Sequence, residues 1–451
     1  MKVLLAEPPE LFLEGNGHTR QVQLLGLGYV GALLAAEHDV RFLLPDTRSY
    51  VGAEPWDEIE RAIVDEAPDV VGITAVTANF QTAAVLASLV KRVDEEICVV
   101  LGGVHASTEP VAALVGAPHV DYVVRGEGER TMLELVRQID SRGVGGVRPH
   151  TIPGLYWRDE QNEIRYSEPR PRITDLDSLP FPLRDGLVWS DDIHPAFYQG
   201  LVTVRGCPYR CIYCSVPSSN ERRTRYRSAA NVVDEIEMLR QRYEVPGLFF
   251  HDSVFTMRRS RTIEICDTMI DRDLAMPFQC QTRADRVDPE LLARMKQAGC
   301  EQIFFGIESG DSDSLKRIRK KIDLETIRDA VRMVKDVGIR CTGFFMIGFP
   351  WETSVEMNRT AEFATSLGLD AVSLFSATPL PGTELWDMVD SSLVPDSVDF
   401  RTPQLNVTTL PDNCYAALFS EIKAGLDDYN QTQMQTRIAL MQRETPISWL
   451  G

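Results

Sequence analysis

The chain has 451 residues, 44% of them hydrophobic, which is enough for two or three cored domains. Its 47 basic and 66 acidic side chains give a net charge of −19, which argues against a nucleic-acid partner, because neutralising phosphates needs a basic footprint. Nine cysteines without regular pairing, no signal-peptide pattern in the opening M-K-V-L-L-A-E and no apolar run near ~18 residues point to a cytoplasmic protein without membrane contact.

Residues 1–140 alternate β-rich runs, predicted at 2–6, 39–44, 70–76, 98–102 and 122–125, with helical patterns near 22–36, 56–66, 80–94 and 128–139. This alternation predicts an α/β fold with a doubly wound parallel sheet, whose ligands sit beyond the carboxyl ends of the strands. Gly26-Leu-Gly-Tyr-Val-Gly31 is a formal G-x-G-x-x-G, with Asp46 at the spacing of a dinucleotide site. Its context is wrong for one: the first strand ends near Pro8, well before these glycines. The motif continues as helix, where glycines permit close packing on the sheet.

Residues 141–197 are punctuated by Gly and Pro around one hairpin at 154–158 and 163–167, and read as a linker with a small β element. In residues 198–395 alternation returns, with strands from Gly200 and at 248–251, 277–280, 302–306, 343–347 and 371–376. Helices are predicted near 229–243, 259–272, 288–297, 311–318, 323–337 and 353–367. Six such units predict a partial (βα)6 barrel with its site at the carboxyl ends of the strands. Residues 396–451 hold a polar segment and a helix near 413–441 that caps the barrel or contacts substrate.

Directly after the first barrel strand, residues 204–214 read V-R-G-C-P-Y-R-C-I-Y-C and contain Cys207, Cys211 and Cys214. The spacing C-x3-C-x2-C can hold three corners of a [4Fe-4S] cluster and leaves the fourth iron without a protein ligand. A closed cluster takes four thiolates and a structural zinc four ligands. No Cys or His follows the triplet within 35 residues, and His194 is the nearest before it. The other cysteines, Cys98, Cys266, Cys280, Cys300, Cys341 and Cys414, are scattered and read as small buried hydrophobes. Cys280 and Cys341 fall near ends of predicted strands.

On this triplet, with Tyr213 before its third Cys, the chain resembles the radical S-adenosylmethionine (radical SAM) superfamily. The resemblance implies that S-adenosylmethionine chelates the free iron through its methionyl amine and carboxylate. An electron, from a donor of flavodoxin or ferredoxin type, then cleaves it to methionine and a 5′-deoxyadenosyl radical. The resemblance covers residues 1–390. Phe250-His-Asp-Ser-Val-Phe255 is similar to the acidic turn of cobalamin-dependent members, where Asp252 would orient bound groups. Gln281-Thr-Arg-Ala-Asp285 implies Arg283 beside the methionyl carboxylate. Gly306-Ile-Glu-Ser-Gly310 implies Glu308 as acceptor for ribose hydroxyls or the methionyl amine, and residues 343–353, with Gly348, supply the turn on which the adenine lies. Pro379-Leu-Pro-Gly-Thr383 follows the sixth strand. Arg222, Arg223, Arg225 and Arg227 form a basic strip read as close to the cluster or S-adenosylmethionine.

The N-terminal domain resembles the cobalamin-binding domain that precedes the barrel in one large radical SAM subgroup. The matching pieces are Leu25-Gly-Leu-Gly-Tyr29, Gly72-Ile-Thr-Ala-Val-Thr77, Leu101-Gly-Gly-Val-His-Ala-Ser107 and Val124-Arg-Gly-Glu-Gly-Glu129. They imply Thr74, Thr77, Gly102, Gly103, His105 and Ser107 around a corrin, with His105 a loop residue rather than a cobalt ligand. The D-x-H-x-x-G motif is absent: Asp192-Ile-His194 has Phe197 where the Gly should be. The resemblance therefore implies either bound cobalamin or a retained scaffold without it.

Two reactions follow. One is cobalamin-dependent C-methylation of a small natural-product substrate, as in antibiotic biosynthesis. The other is cobalamin-independent radical diol dehydration of an aminoglycoside-type sugar. Sulfur transfer to tRNA fits poorly, because only Cys98 precedes the barrel and no basic tail follows it. Trp189, Asp191, Asp192, Tyr198, Trp351 and Glu352 are candidates for the mouth of the site, where acids would suit an amino-bearing substrate.

Overall fold

The structure, a computed structural model, describes residues 1–9, 25–45, 55–189, 193–216, 223–390, 394 and 399–444, with side chains as far as 437. Asp46, Asp191, Asp192 and Arg222 lie outside the described residues.

Strands β1 (Lys2–Ala6), β2 (Asp39–Leu43), β3 (Val70–Thr74), β4 (Cys98–Gly102) and β5 (Tyr122–Val124) form a parallel sheet in the order β2-β1-β3-β4-β5. Runs such as Val-Val-Gly-Ile-Thr and Cys-Val-Val-Leu-Gly are apolar throughout because helices cover both faces. Leu4, Ile73, Leu86 and Val90 pack on one face, and Val3, Leu5, Met132 and Leu135 on the other. Gly31, in the helix Leu25–Leu34, lets that helix press onto the sheet: a Cβ there would lie 2.7 Å from the Phe42 ring. The strand order reverses beside β1, so the carboxyl ends of β1 and β3 flank an open crevice.

The hairpin expected within the linker belongs to this sheet. Its strands β6 (Leu155–Arg158) and β7 (Ile164–Tyr166) continue it antiparallel beyond β5, to seven strands. The cause is the exposed edge of β5, whose backbone groups would otherwise be unpaired. Arg158 secures the join by donating to the Val120 carbonyl at 2.9 Å.

The second sheet begins with β8 (Gly200–Leu201). Next, β9 (Val204–Arg205) and β10 (Arg225–Tyr226) pair as a short antiparallel ribbon that brackets the cysteine loop. The remaining strands are β11 (Leu248–Phe250), β12 (Phe278–Thr282), β13 (Cys300–Glu308), β14 (Arg340–Ile347) and β15 (Ala371–Ser376). With β8 they form six parallel strands in the order β15-β14-β13-β12-β11-β8. Phe250, Cys280, Ile303, Phe305 and Phe345 pack outward into one core with the helices. Cys266, Cys280, Cys300 and Cys341 are fully buried in that core, so Cys280 and Cys341 serve packing rather than the site.

The C-terminal helix Asp412–Glu444 caps the barrel. Tyr415, Phe419, Ile422 and Leu426 enter its core, and the Asn430 amide both accepts from Val372 N and donates to Val372 O at 2.8 Å. One side-chain amide thus does for the edge of β15 what a neighbouring strand would do. Among the described residues no helix is long and apolar enough to cross a membrane.

The linker is fastened by a buried ionic group. Arg184 donates to Glu235 at 2.6 Å and to the carbonyls of Tyr198 and Gly200, while Arg227 takes the other Glu235 oxygen and approaches the Tyr29 hydroxyl. Removing the carboxylate strands two desolvated guanidiniums. Glu235→Ala is therefore expected to lower unfolding free energy by about 3–5 kcal/mol, read from the midpoint of chemical denaturation.

Candidate functional site

The strand entering the cysteine loop is held by Asp252. Its carboxylate accepts from Thr203 N at 2.7 Å, Thr203 Oγ1 at 2.5 Å and Val204 N at 3.0 Å, and Arg261 grips the Thr203 carbonyl from the other side at 3.0 Å. Burial pushes the carboxyl up and these donors oppose the rise. Asp252, expected to orient bound groups, instead fixes where the loop starts, because both its oxygens are already engaged.

Gly206 then turns the chain with φ +91. Cys207 is buried, and Cys211 and Cys214 are half-buried and joined by a turn. Ile212 between them donates to the Ile318 carbonyl at 3.3 Å and accepts from Leu385 N at 2.9 Å, so the barrel grips the loop from two sides. The Arg283 guanidinium lies 3.6 Å from the centre of the Tyr209 ring, pairs with Asp285 and donates to the Lys320 carbonyl at 2.8 Å. The expected place for Arg283 was beside a methionyl carboxylate; here it braces the cysteine loop. Burial raises the Cys207 thiol and lifts Cys214 to about 12, while the charges of Arg283 and Lys320 pull Cys207 back down. Iron binds thiolates, so these cations offset part of the cost of holding three sulfur anions together.

Above the loop, Glu308 ends β13 in a left-handed conformation, φ +74, beside an irregularity in the β13–β14 pairing. It accepts from Lys320 Nζ at 2.8 Å, and its charge adds to the burial that holds the nearby Tyr213 phenol high. Gly306 leaves the room this pair needs, since a Cβ there would fall 2.6 Å from Glu308 Oε1. Gly348, φ +92, donates to Glu352 at 2.8 Å, and its face is closed by Tyr415, whose oxygen would lie 2.3 Å from an added Cβ. The C-terminal helix thus sets the shape of the turn after β14.

Of the mouth candidates among the described residues, two pack into the turn after β14 and two lie away from the cysteine loop. Glu352 is fully buried, accepting from Gly348 N, Phe349 N and Ser314 Oγ, and Trp351 stacks on Phe349 at 5.3 Å. Tyr198 precedes β8, at the end opposite the cysteine loop, against Tyr243, and Trp189 packs beside the N-terminal core. A residue singled out by no motif stands nearer: His251, next to Asp252, is exposed at the carboxyl end of β11. Strand alternation carried the signal, since a buried Asp252 puts His251 on the opposite face.

A cavity of about 490 Å³ opens between the two sheets. Gly72, Thr74, Gly102, Gly103, Ser107 and Gly126 line it on the N-terminal side, and Val202, Arg205, Gly206 and Ser253 on the barrel side. Its wall is mainly apolar, from side chains such as Leu27, Ile73 and Met132. A Cβ on Gly26 or Gly102 would meet nothing within 4 Å, so the backbone there is open to a broad, flat group. This fits a corrin. Ser107 donates to the Gly103 carbonyl at 2.7 Å and accepts from Gly126 N at 2.9 Å, tying two of the lining loops together. Thr77 and His105, expected in this set, turn away. His105 stacks on Phe80 at 4.2 Å with Nδ1 3.3 Å from Thr77 Oγ1, and burial lowers its imidazole to about 4.

The seam between the domains is ionic. Glu127 accepts from Arg205 at 3.0 Å, from Arg225 at 2.8 Å and from Ile173 N at 2.9 Å, and Arg205 also meets Glu129 at 2.7 Å. Burial would raise the Glu127 carboxyl, but these partners hold it below its ordinary value. Arg225 and Arg227, read as part of a basic strip near the cluster, are committed to this seam and to Glu235.

The radical SAM superfamily model matches residues 201–364, and the B12 binding domain model matches residues 20–136. An uncharacterized methyltransferase of Pyrococcus horikoshii is 33% identical over 390 residues, covering 86% of this chain and 83% of that protein. The chain belongs to the radical SAM superfamily. Its cofactors are accordingly a [4Fe-4S] cluster and S-adenosylmethionine, with cobalamin for the B12-binding domain. An anaerobic magnesium-protoporphyrin IX monomethyl ester cyclase of Rubrivivax gelatinosus is 28% identical over 387 residues, covering 83% of this chain and 69% of the relative. The fold is that of the radical S-adenosylmethionine methyltransferase TsrM from Kitasatospora setae, solved with cobalamin and a [4Fe-4S] cluster. The TM-score is 0.71 at 19% identity, with 85% of this chain and 73% of that one covered.

Burial pushes Glu352 up to about 7 from 4.5, against the donors from Phe349, Gly348 and Ser314. The folded state therefore keeps a proton that the unfolded state gives up. Its contribution is fully present below pH 4.5 and is lost as pH rises through 7. Glu352→Gln is expected to flatten this fall relative to the unsubstituted protein, measured by urea denaturation between those pH values.

Proposed function

We propose that this radical SAM enzyme methylates a carbon of a small-molecule substrate, using cobalamin seated between its two sheets. The observation that carries this reading is the position of the cavity. It joins the ligand end of the B12-binding sheet to Gly206, the residue before Cys207. When bound, the cluster and S-adenosylmethionine supply radical initiation, and cobalamin supplies a methyl carrier. In this reading Cys207, Cys211 and Cys214 would hold three irons, Arg283 and Lys320 would balance the sulfur charge, and Lys320 would aim Glu308 at S-adenosylmethionine, with Tyr213 beside it. Gly348, whose side-chain space Tyr415 fills, sets the turn on which the adenine would lie, and Thr74, Gly102, Gly103 and Ser107 would carry the corrin.

Diol dehydration needs no second cofactor and gives the open glycine-lined cavity no task, so methyl transfer is the better reading. The reducing electron comes from a flavodoxin- or ferredoxin-type donor in the cytoplasm, a setting that suits nine free cysteines.

Gly102 has extended backbone and open space before it, so Leu can be accommodated there only inside the cavity. Gly102→Leu is expected to weaken cobalamin binding by about tenfold or more with an unchanged melting temperature, followed by spectroscopic titration. With methyl-labelled S-adenosylmethionine under reducing conditions, label should be recovered with the corrinoid. Formation of 5′-deoxyadenosine without labelled corrinoid would favour dehydration.

A further inference from the structure

The inner face of the six-stranded sheet is the one turned away from the helices. Outward residues of β11 to β15 such as Phe250, Cys280, Phe305 and Phe345 are buried, whereas Phe249, Phe304, Phe344 and Phe375 alternate with them and keep part of their surface exposed. These four rings touch in a continuous chain, with centroids 5.8, 5.6 and 5.9 Å apart, crossing from β11 to β15. Level with these rings and below the Glu308–Lys320 pair at the rim, the inward positions Gln281, Gly306, Met346 and Ser373 carry no charge. His251 stands over the wall, 4.5 Å from the Phe249 ring, and its imidazole makes no hydrogen bond among the described residues. Although one side of the ring reaches solvent, desolvation by the barrel wall and the charge of Arg184 lower it to about 4, which leaves it neutral and able to accept or donate.

We propose that the substrate is an uncharged molecule with a flat, ring-shaped apolar body lying on the phenylalanine wall, and that His251 sets its orientation through one hydrogen bond. This names the substrate class for the reaction proposed above and rests on that reading. A carboxylate or ammonium placed here would be desolvated with no charged side chain of the wall to meet it, since the Arg184 cation felt at His251 is already paired with Glu235, whereas aromatic faces and edges accept another ring. It also replaces the amino-bearing substrate expected from an acidic mouth, since Glu352 is buried away from this face.

The test uses the full-length protein reconstituted with cluster, cobalamin and S-adenosylmethionine. Anaerobic calorimetry compares 2-naphthol with 2-naphthoate, the same rings bearing a charge, and with 2-deoxystreptamine, a compact polyamine. The expected result is binding of 2-naphthol alone. His251→Ala should weaken it by about tenfold, the factor for one hydrogen bond lost in a desolvated site, and His251→Gln should recover most of the loss. Iron content and cluster absorbance confirm that each variant is assembled. The proposal is overturned by equal or tighter binding of either charged probe, by failure of 2-naphthol to bind, or by an affinity for it unchanged in His251→Ala. Binding of 2-naphthol as expected, in a protein that never labels its corrinoid, would uphold the substrate class and sink the methyl-transfer reading instead.

Discussion

One carboxylate, Glu127, holds this molecule in its working arrangement. It sits on the loop that follows β5 and takes guanidinium groups from both strands of the ribbon around the cysteine loop, and a backbone N–H from the linker. Three segments distant in sequence are thereby fixed at one point. The pairing is largely shielded from water, where losing one partner costs more than at an exposed surface. The alignment of cavity and cluster loop follows from it, and so does the size of the space between them.

Around this point the fold assigns separate tasks to its two sheets. The first ends in glycines and small hydroxyl residues, which leave backbone exposed to a large flat ligand. The second ends in a loop whose position is set by buried hydrogen bonds from Asp252 and whose charge is balanced by Arg283 and Lys320. The C-terminal helix completes the barrel through Tyr415 and Asn430, one shaping the turn at Gly348 and the other sealing the edge of β15. A radical reaction needs such closure, because a reactive intermediate must be kept from competing partners.

The elements and the cysteine triplet were legible because their signals are local. Strand and helix periods, Gly206 before Cys207, and the spacing of three thiols need no knowledge of what lies across the fold. Side-chain direction was less legible. Asp252, Glu352 and Arg283 carry charges at strand ends, which reads as ligand contact, yet each is claimed by a neighbour supplied by tertiary packing: Thr203, Ser314 and Tyr209. His105 and Thr77 lie close in sequence to the lining residues Gly103 and Thr74 but rotate onto Phe80 and each other. His251 went unseen for the converse reason, since its importance comes from rings on three other strands.

The central claim is that cobalamin and the cluster face each other across the Glu127 seam. Electron paramagnetic resonance of the reduced holoprotein, with cob(II)alamin and the reduced cluster both present, tests it most directly. Magnetic interaction between the two centres is the expected result, since the cavity reaches the residue next to Cys207. Two independent, unperturbed signals would contradict it.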